Sequence, residues 1–162
     1  MEVHNIVMKY QSLNGEINAL EDINFNVEKG EFVSIVGPSG CGKSTLLSII
    51  SGLLAASAGN VLIDGETVTG TSQKVGYMLQ KDHLFNWRTI LDNVYLGLEI
   101  RNTLTAEARE YTLNLLKMYG LYEFKDKYPD QLSGGMRQRA ALIRTLATKP
   151  EILLLDEAFS RS

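Results

Sequence analysis

One segment narrows what this chain can fold into more than any other: Gly37-Pro38-Ser39-Gly40-Cys41-Gly42-Lys43-Ser44, followed by Thr45. It fits the spacing G-x-x-x-x-G-K-[ST]. Glycines at these places let the backbone turn tightly and aim several N–H groups at phosphate oxygens. The loop needs a strand running in and a helix running out, because the helix points its positive end at the same anion. Both neighbours are legible. Residues 31–36 (EFVSIV) are an apolar run ending in glycine and read as a buried strand. Residues 46–54 have helical character. In this chemistry Lys43 reaches the outer phosphates, and the Ser44 hydroxyl binds Mg2+.

Composition excludes several other classes. The 162 residues amount to about one domain of roughly 150 residues. The apolar fraction of 44% and charged fraction of 22% are those of an ordinary soluble globular protein, not a disordered one. One cysteine excludes an internal disulfide framework and fits a reducing compartment. Cys41 lies near a helix start and reads as a small residue filling the loop. With His4 and His83 far apart in sequence, no metal site of His/Cys type is expected. A net charge of −3 gives no basic footprint for nucleic acid. The longest apolar stretch, residues 46–58, is too short to span a bilayer, which takes about 20 residues. The start, Met1-Glu2-Val3-His4-Asn5, has no targeting character. A soluble, cytoplasmic chain is expected.

Strands alternate with helices, which predicts an α/β fold with a mainly parallel sheet. Ile23, Phe25 and Val27 alternate with Asn24 and Asn26, as in a half-buried strand. Residues 61–63 and 75–79 read as short strands, and Asp64-Gly65 marks a turn after the first. Ile90, Val94 and Leu98 give residues 89–100 helical spacing. Thr105 caps a second helix that ends before Gly120, with Leu113, Leu116 and Met118 on its apolar side. A third helix is expected over residues 135–148, and residues 151–156 return as an apolar strand.

That last strand ends in Asp156-Glu157. In P-loop proteins such an Asp holds Mg2+, and Glu157 stands where a base can polarise an attacking water. Between the two sites lies Leu132-Ser133-Gly134-Gly135-Met136. Two glycines and a serine opening a helix offer N–H groups and a hydroxyl to an anion, repeating the logic of the first loop. In this order the three motifs resemble the nucleotide-binding subunits of ABC transporters, whose signature is LSGG, continued here by Arg137-Gln138-Arg139.

The resemblance implies a P-loop NTPase core with an antiparallel β subdomain and a helical subdomain. It makes residues 1–162 a single partial nucleotide-binding domain. Residues 1–80 or so form the β subdomain, the P-loop and the Gln80 strand; 81–135 the helical subdomain; 136–162 the signature helix and the Asp156 strand. ATP and Mg2+ are the implied cofactors, held by Gly37 to Thr45 together with Asp156. Gln80 is implied to sense Mg2+ and γ-phosphate, and Tyr10 to stack on adenine; by residue type alone Tyr10 is simply a strand-end tyrosine. Ser133, Gly134 and Gly135 are implied to complete the nucleotide site of a second such subunit in a head-to-tail dimer.

Residues 82–94, with Leu84-Phe85-Asn86-Trp87-Arg88-Thr89, resemble the importer subfamily for nitrate, sulfonate, taurine and related small solutes. There this region lies against the membrane permease, which puts the subunit on the inner face of the membrane and links it indirectly to a solute-binding protein. By composition Trp87 reads equally as a core residue or as an interface anchor beside Arg88. Two residues depart from the family: Met136 replaces the commoner glutamine, and Ala158 the usual proline.

The resemblance also implies that the chain holds only the first two-thirds or so of the domain. The D-loop expected from Ser160 diverges at Arg161 and Ser162, and no switch histidine follows. The missing strand of the family sheet lies between the P-loop strand and the Asp156 strand. Its loss leaves buried backbone groups unpaired, at about 1–3 kcal/mol each against a total stability of about 5–15 kcal/mol. Little hydrolysis is therefore expected of the chain alone. The alternatives are a non-hydrolysing nucleotide-binding remnant and an ABC ATPase outside transport.

Overall fold

A computed structural model describes residues 1–13 and 15–157 of the chain. Ala158 and the residues from Ser160 onward, on which the departure at 158 and the D-loop rest, lie outside the described residues. The described chain divides into two compact units, Met1–Gln73 and Lys74–Ser162.

The first unit is built on a four-stranded antiparallel sheet in the order β2-β1-β3-β4. Its strands are β1 (Glu2–Ser12), β2 (Gly15–Asn26), β3 (Ala58–Ile63) and β4 (Glu66–Thr67). Val3 pairs with Phe25 on one side and Val61 on the other, and Ile6 pairs with Ile23. Val3, Ile6, Leu20, Val61 and Ile63 are buried, while Ile23, Phe25 and Val27 are half-buried with polar neighbours exposed, as the alternation predicted. Asp64 and Gly65, both at positive φ, make the turn from β3 to β4. The register slips along β1 and β2, with Asn5 and Asp22 in left-handed backbone. Asn5 Nδ2 donates to Asp22 Oδ1 at 2.8 Å, and this bond with that from Asn24 holds the Asp22 carboxyl below its usual pKa.

Helix α1 (Lys43–Ile50) starts three residues before the expected position. It begins at Gly42, whose φ of +94° favours glycine, and a Cβ there would stand 2.6 Å from the Ala19 carbonyl oxygen. Leu46, Leu47, Ile49 and Ile50 bury its apolar side.

The strand expected over residues 31–36 is not formed. The segment has no strand partner among the described residues and lies exposed, with Phe32 at 89% and Val36 at 90%. The physical reason is backbone pairing. A buried strand without neighbours would strand its N–H and C=O groups, whereas at the surface water satisfies them.

The second unit pairs β5 (Val75–Met78) with β6 (Ile152–Leu155) in parallel. Between them run α2 (Ile90–Ile100), α3 (Ala106–Met118) and α4 (Gly134–Leu146). Each helix starts at a side-chain cap: Thr89 accepts from Asp92 N, Thr105 from Ala108 N, and Ser133 from Met136 N. Helix α2 packs on α4, and α4 on β5. Ile90, Val94, Leu115, Leu116, Leu121, Leu132 and Ile143 make the core. Met118 does not join it: α3 buries Thr112, Leu115 and Leu116, and Met118 falls on the opposite, exposed side. No helix of the described residues is long and apolar enough to cross a membrane.

Two contrasts test this arrangement in urea unfolding. Leu116→Ala should cost about 2–5 kcal/mol, since a fully buried side chain is removed. Phe32→Ser should move stability by no more than about 0.5 kcal/mol, as befits an exposed site. Gly42→Ala should destabilise by about 1–3 kcal/mol or more through its strained φ and the clash with Ala19. Gly40→Ala, with open space around it, should cost less.

Candidate functional site

In the first unit the loop of residues 37–42 closes on itself. Cys41 N donates to Pro38 O at 3.3 Å, and the Lys43 ammonium donates to Gly37 O and Pro38 O at 2.9 Å each. The exposed Cys41 thiol lies 3.8 Å from the same ammonium. Helix α1 has no side-chain cap and no acidic residue in its first turn, so its N-terminus keeps the polarity that suits an anion. Ser44 and Thr45 occupy that first turn. Tyr10 lies near the end of β1, opposite Ile17, and is exposed.

In the second unit the site grows from strand register. Met78 pairs with Leu155, so the residues two positions beyond each leave the sheet side by side. Gln80 Nε2 donates to Glu157 Oε2 at 3.0 Å. Between strand and glutamate, Asp156 is 5% exposed; its backbone N donates to Met78 O at 3.0 Å and its Oδ2 accepts from the Tyr77 hydroxyl at 3.4 Å. Glu157 adopts φ +46°, a left-handed conformation that turns the chain out of the strand. Ligands of parallel sheets sit at such carboxyl ends. Among the described residues no three His, Cys, Asp or Glu side chains gather as a metal cluster. The Ser44 hydroxyl in the first unit and the Asp156 carboxylate in the second are each a hard oxygen donor of the kind Mg2+ takes.

The turn Ser133-Gly134-Gly135 opens α4 as expected. Ser133 Oγ accepts from Met136 N at 3.3 Å, and no acidic residue stands in the first turn. Trp87 is 75% exposed and stacks on Phe85 at 4.8 Å between centroids, so the core reading of Trp87 fails. What holds this aromatic pair is Asn93, a buried side chain that the periodic pattern did not single out. Its Oδ1 accepts from Phe85 N, and its Nδ2 donates to the carbonyls of Phe85, Arg88 and Thr89. Arg88 in turn pairs with Glu99 at 2.8 Å.

Two further residues, Tyr77 and Arg144, escaped sequence reasoning, as did the partner of Arg137. Arg137 pairs with Asp82 at 3.1 Å and donates to Leu132 O. Arg144 donates to the carbonyls of Asp82 and His83. Burial works against its charge, and Asp82 offsets part of that. Arg137 adjoins the signature and belongs to its sequence pattern. Nothing local announces its partner, which is 55 residues away.

A family model described as "ABC transporter" matches residues 20–160. An uncharacterized ABC transporter ATP-binding protein of Bacillus subtilis, YtlC, is 52% identical over 160 residues, covering 99% of this chain and 62% of the relative. The aliphatic sulfonates import ATP-binding protein SsuB of Bacillus cereus is 43% identical over 96% of this chain and 61% of its own length. The taurine import ATP-binding protein TauB of Roseobacter denitrificans is 38% identical, with 97% and 59% covered. The chain thus spans about three-fifths of the length of the curated relatives it matches. Among solved structures, the dimeric post-hydrolysis state of the ATP-binding cassette MJ0796, bound to ADP and Pi, superposes with a TM-score of 0.87 at 37% identity, over 98% of this chain and 74% of that one. With the family model spanning most of its residues, this chain belongs to the ABC transporter family.

Proposed function

We propose that the chain carries the ATP-binding part of a subunit that energises an ABC importer of a small solute, of the nitrate, sulfonate or taurine kind. The observation that supports this most is the grouping at the ends of β5 and β6: buried Asp156, and Glu157 in contact with Gln80. In this reading Lys43 exchanges the carbonyls of Gly37 and Pro38 for phosphate oxygens, joined by the N–H groups at the start of α1. Mg2+, when bound, would neutralise charge on the outer phosphates. Ser44 and Asp156 would hold it, and Gln80 would sense it. Glu157 orients the attacking water and takes up its proton, and Tyr10 stacks on adenine. Ser133, Gly134 and Gly135 face the γ-phosphate bound by a second subunit in a head-to-tail dimer, in line with the dimeric cassettes it resembles. The exposed Trp87, beside Arg88, anchors the subunit to a membrane permease, which holds it on the inner membrane face and serves a solute-binding protein.

A second reading, nucleotide binding without turnover, is favoured by residues 31–36, which lead into the P-loop and have no strand partner among the described residues. Binding of a fluorescent ATP analogue with Mg2+ tests what both readings share. Lys43→Ala should weaken it by about tenfold or more, the loss of a charge-assisted contact. Unchanged affinity would overturn both readings. Phosphate release then separates them: turnover by the wild-type chain that vanishes in Glu157→Gln supports hydrolysis, and tight binding without turnover supports the second reading. Loss of growth on taurine or an alkanesulfonate as sulfur source, after gene disruption, tests the solute class.

A further inference from the structure

The segment that leaves Gln80 is fastened to the helix that opens with the Ser133 turn, and the fastening is made by two arginines of that helix. Arg144 Nη1 donates to His83 O at 2.8 Å and Arg144 Nη2 to Asp82 O at 2.7 Å. One planar guanidinium thus spans two consecutive carbonyls with two separate nitrogens held in a fixed plane, where an ammonium offers a single nitrogen. Those carbonyls point together because His83 sits at φ +46°, a conformation that a non-glycine residue holds only with outside support. Arg137 completes the clamp. Its Nε pairs with Asp82 Oδ2 at 3.1 Å, and its Nη1 donates to Leu132 O at 2.8 Å, next to Ser133. Downstream, buried Leu84 and the four bonds of Asn93 carry the same segment on to the Phe85–Trp87 stack.

From this geometry we infer that Arg144 and Arg137 are positioning residues: they join the Gln80 segment, the Ser133 turn and the Trp87 crest into one mechanical body, so that a change at Gln80 reaches Trp87. The role in nucleotide response rests on the proposed function; the clamp itself does not. Arg144 touches no group assigned to nucleotide. Trp87 is the chain's sole tryptophan, so its emission reports the crest without labelling.

The experiment compares the wild-type chain with Arg144→Met, Arg144→Lys and Arg137→Gln. Without nucleotide, hydrogen exchange at the Leu84 and Phe85 amides should quicken about tenfold in Arg144→Met, while the amides of α3 and the middle of α4 keep their protection. Arg144→Lys should recover only part of the effect. Exchange that is unchanged at Leu84 and Phe85, or raised throughout α4, overturns the clamp. If Arg144→Met fails to fold, Arg137→Gln decides by the same readout. With the fluorescent ATP analogue or MgATP, Trp87 emission should respond in the wild type. In Arg144→Met the response should be lost while affinity stays within about threefold, less than one charge-assisted bond. Binding without a Trp87 response in the wild type, or a response retained in Arg144→Met, overturns the coupling. Absence of binding in the wild type defeats the proposed function instead, and the exchange result alone then judges the clamp.

Discussion

Four residues of β6 lying parallel on four of β5 are the pairing on which the second unit depends. Parallel strands cannot be joined by a tight turn; they need a crossover. Here everything from residue 79 to 151 is that crossover, and the chain uses it to build α2, α3, α4 and the clamped segment after Gln80. The register sets the site. With Met78 opposite Leu155, Gln80 and Glu157 emerge level and meet at 3.0 Å. A slip of one residue would turn every side chain of β6 to the other face, exposing buried Leu154 and moving Asp156 away from Tyr77.

Residues 31–36 show the same constraint from the other side. EFVSIV, like ILLL, is a largely apolar run, and by pattern each reads as a buried strand. Among the described residues only the second has a strand partner, and only the second is a strand. Apolar character says what a segment gains by burial; whether it can be buried depends on where its amide and carbonyl groups go. Each orphaned group costs about 1–3 kcal/mol. Six such residues would soon consume a stability of about 5–15 kcal/mol. Exposure of Phe32 and Val36 is the lesser cost.

This also marks how far the sequence could be read. The caps Thr105 and Ser133, the helix start at Thr89 and the Asp64-Gly65 turn are decided within a few residues, so they are legible in a short window. The motif positions of the candidate site stand out because few residue types tolerate their geometry, Gly42 most clearly. What was not legible depends on distant register. Tyr77 finds Asp156, and Arg144 finds the carbonyls of Asp82 and His83, only once β5 and α4 are packed. Asn93 is an intermediate case. A polar residue beside Ile90 and Val94 on an apolar stripe signals a buried amide with assigned partners, but not which loop it will hold.

The groups assigned to nucleotide are already engaged. Lys43 donates to two carbonyls, the Ser133 hydroxyl accepts from Met136 N, and Gln80 donates to Glu157. Under the proposed function, binding is therefore an exchange of hydrogen bonds rather than a creation of them. Exchanges between neutral partners contribute little, about 0.5–1.5 kcal/mol at most for each bond. The driving force must come from charge. Lys43 trades the partial charge of carbonyls for formal charge on phosphate, and two helix N-termini without acidic first turns meet an anion for which they have the right polarity. Glu157 would run the other way under the same reading: its carboxylate would give up the Gln80 amide and face further negative charge. In that reading the contact between Gln80 and Glu157 would oppose nucleotide binding, and a divalent cation held by Asp156 would supply the positive charge that offsets it. Under the proposed function the divalent cation would then support affinity at this end of the site as well as chemistry.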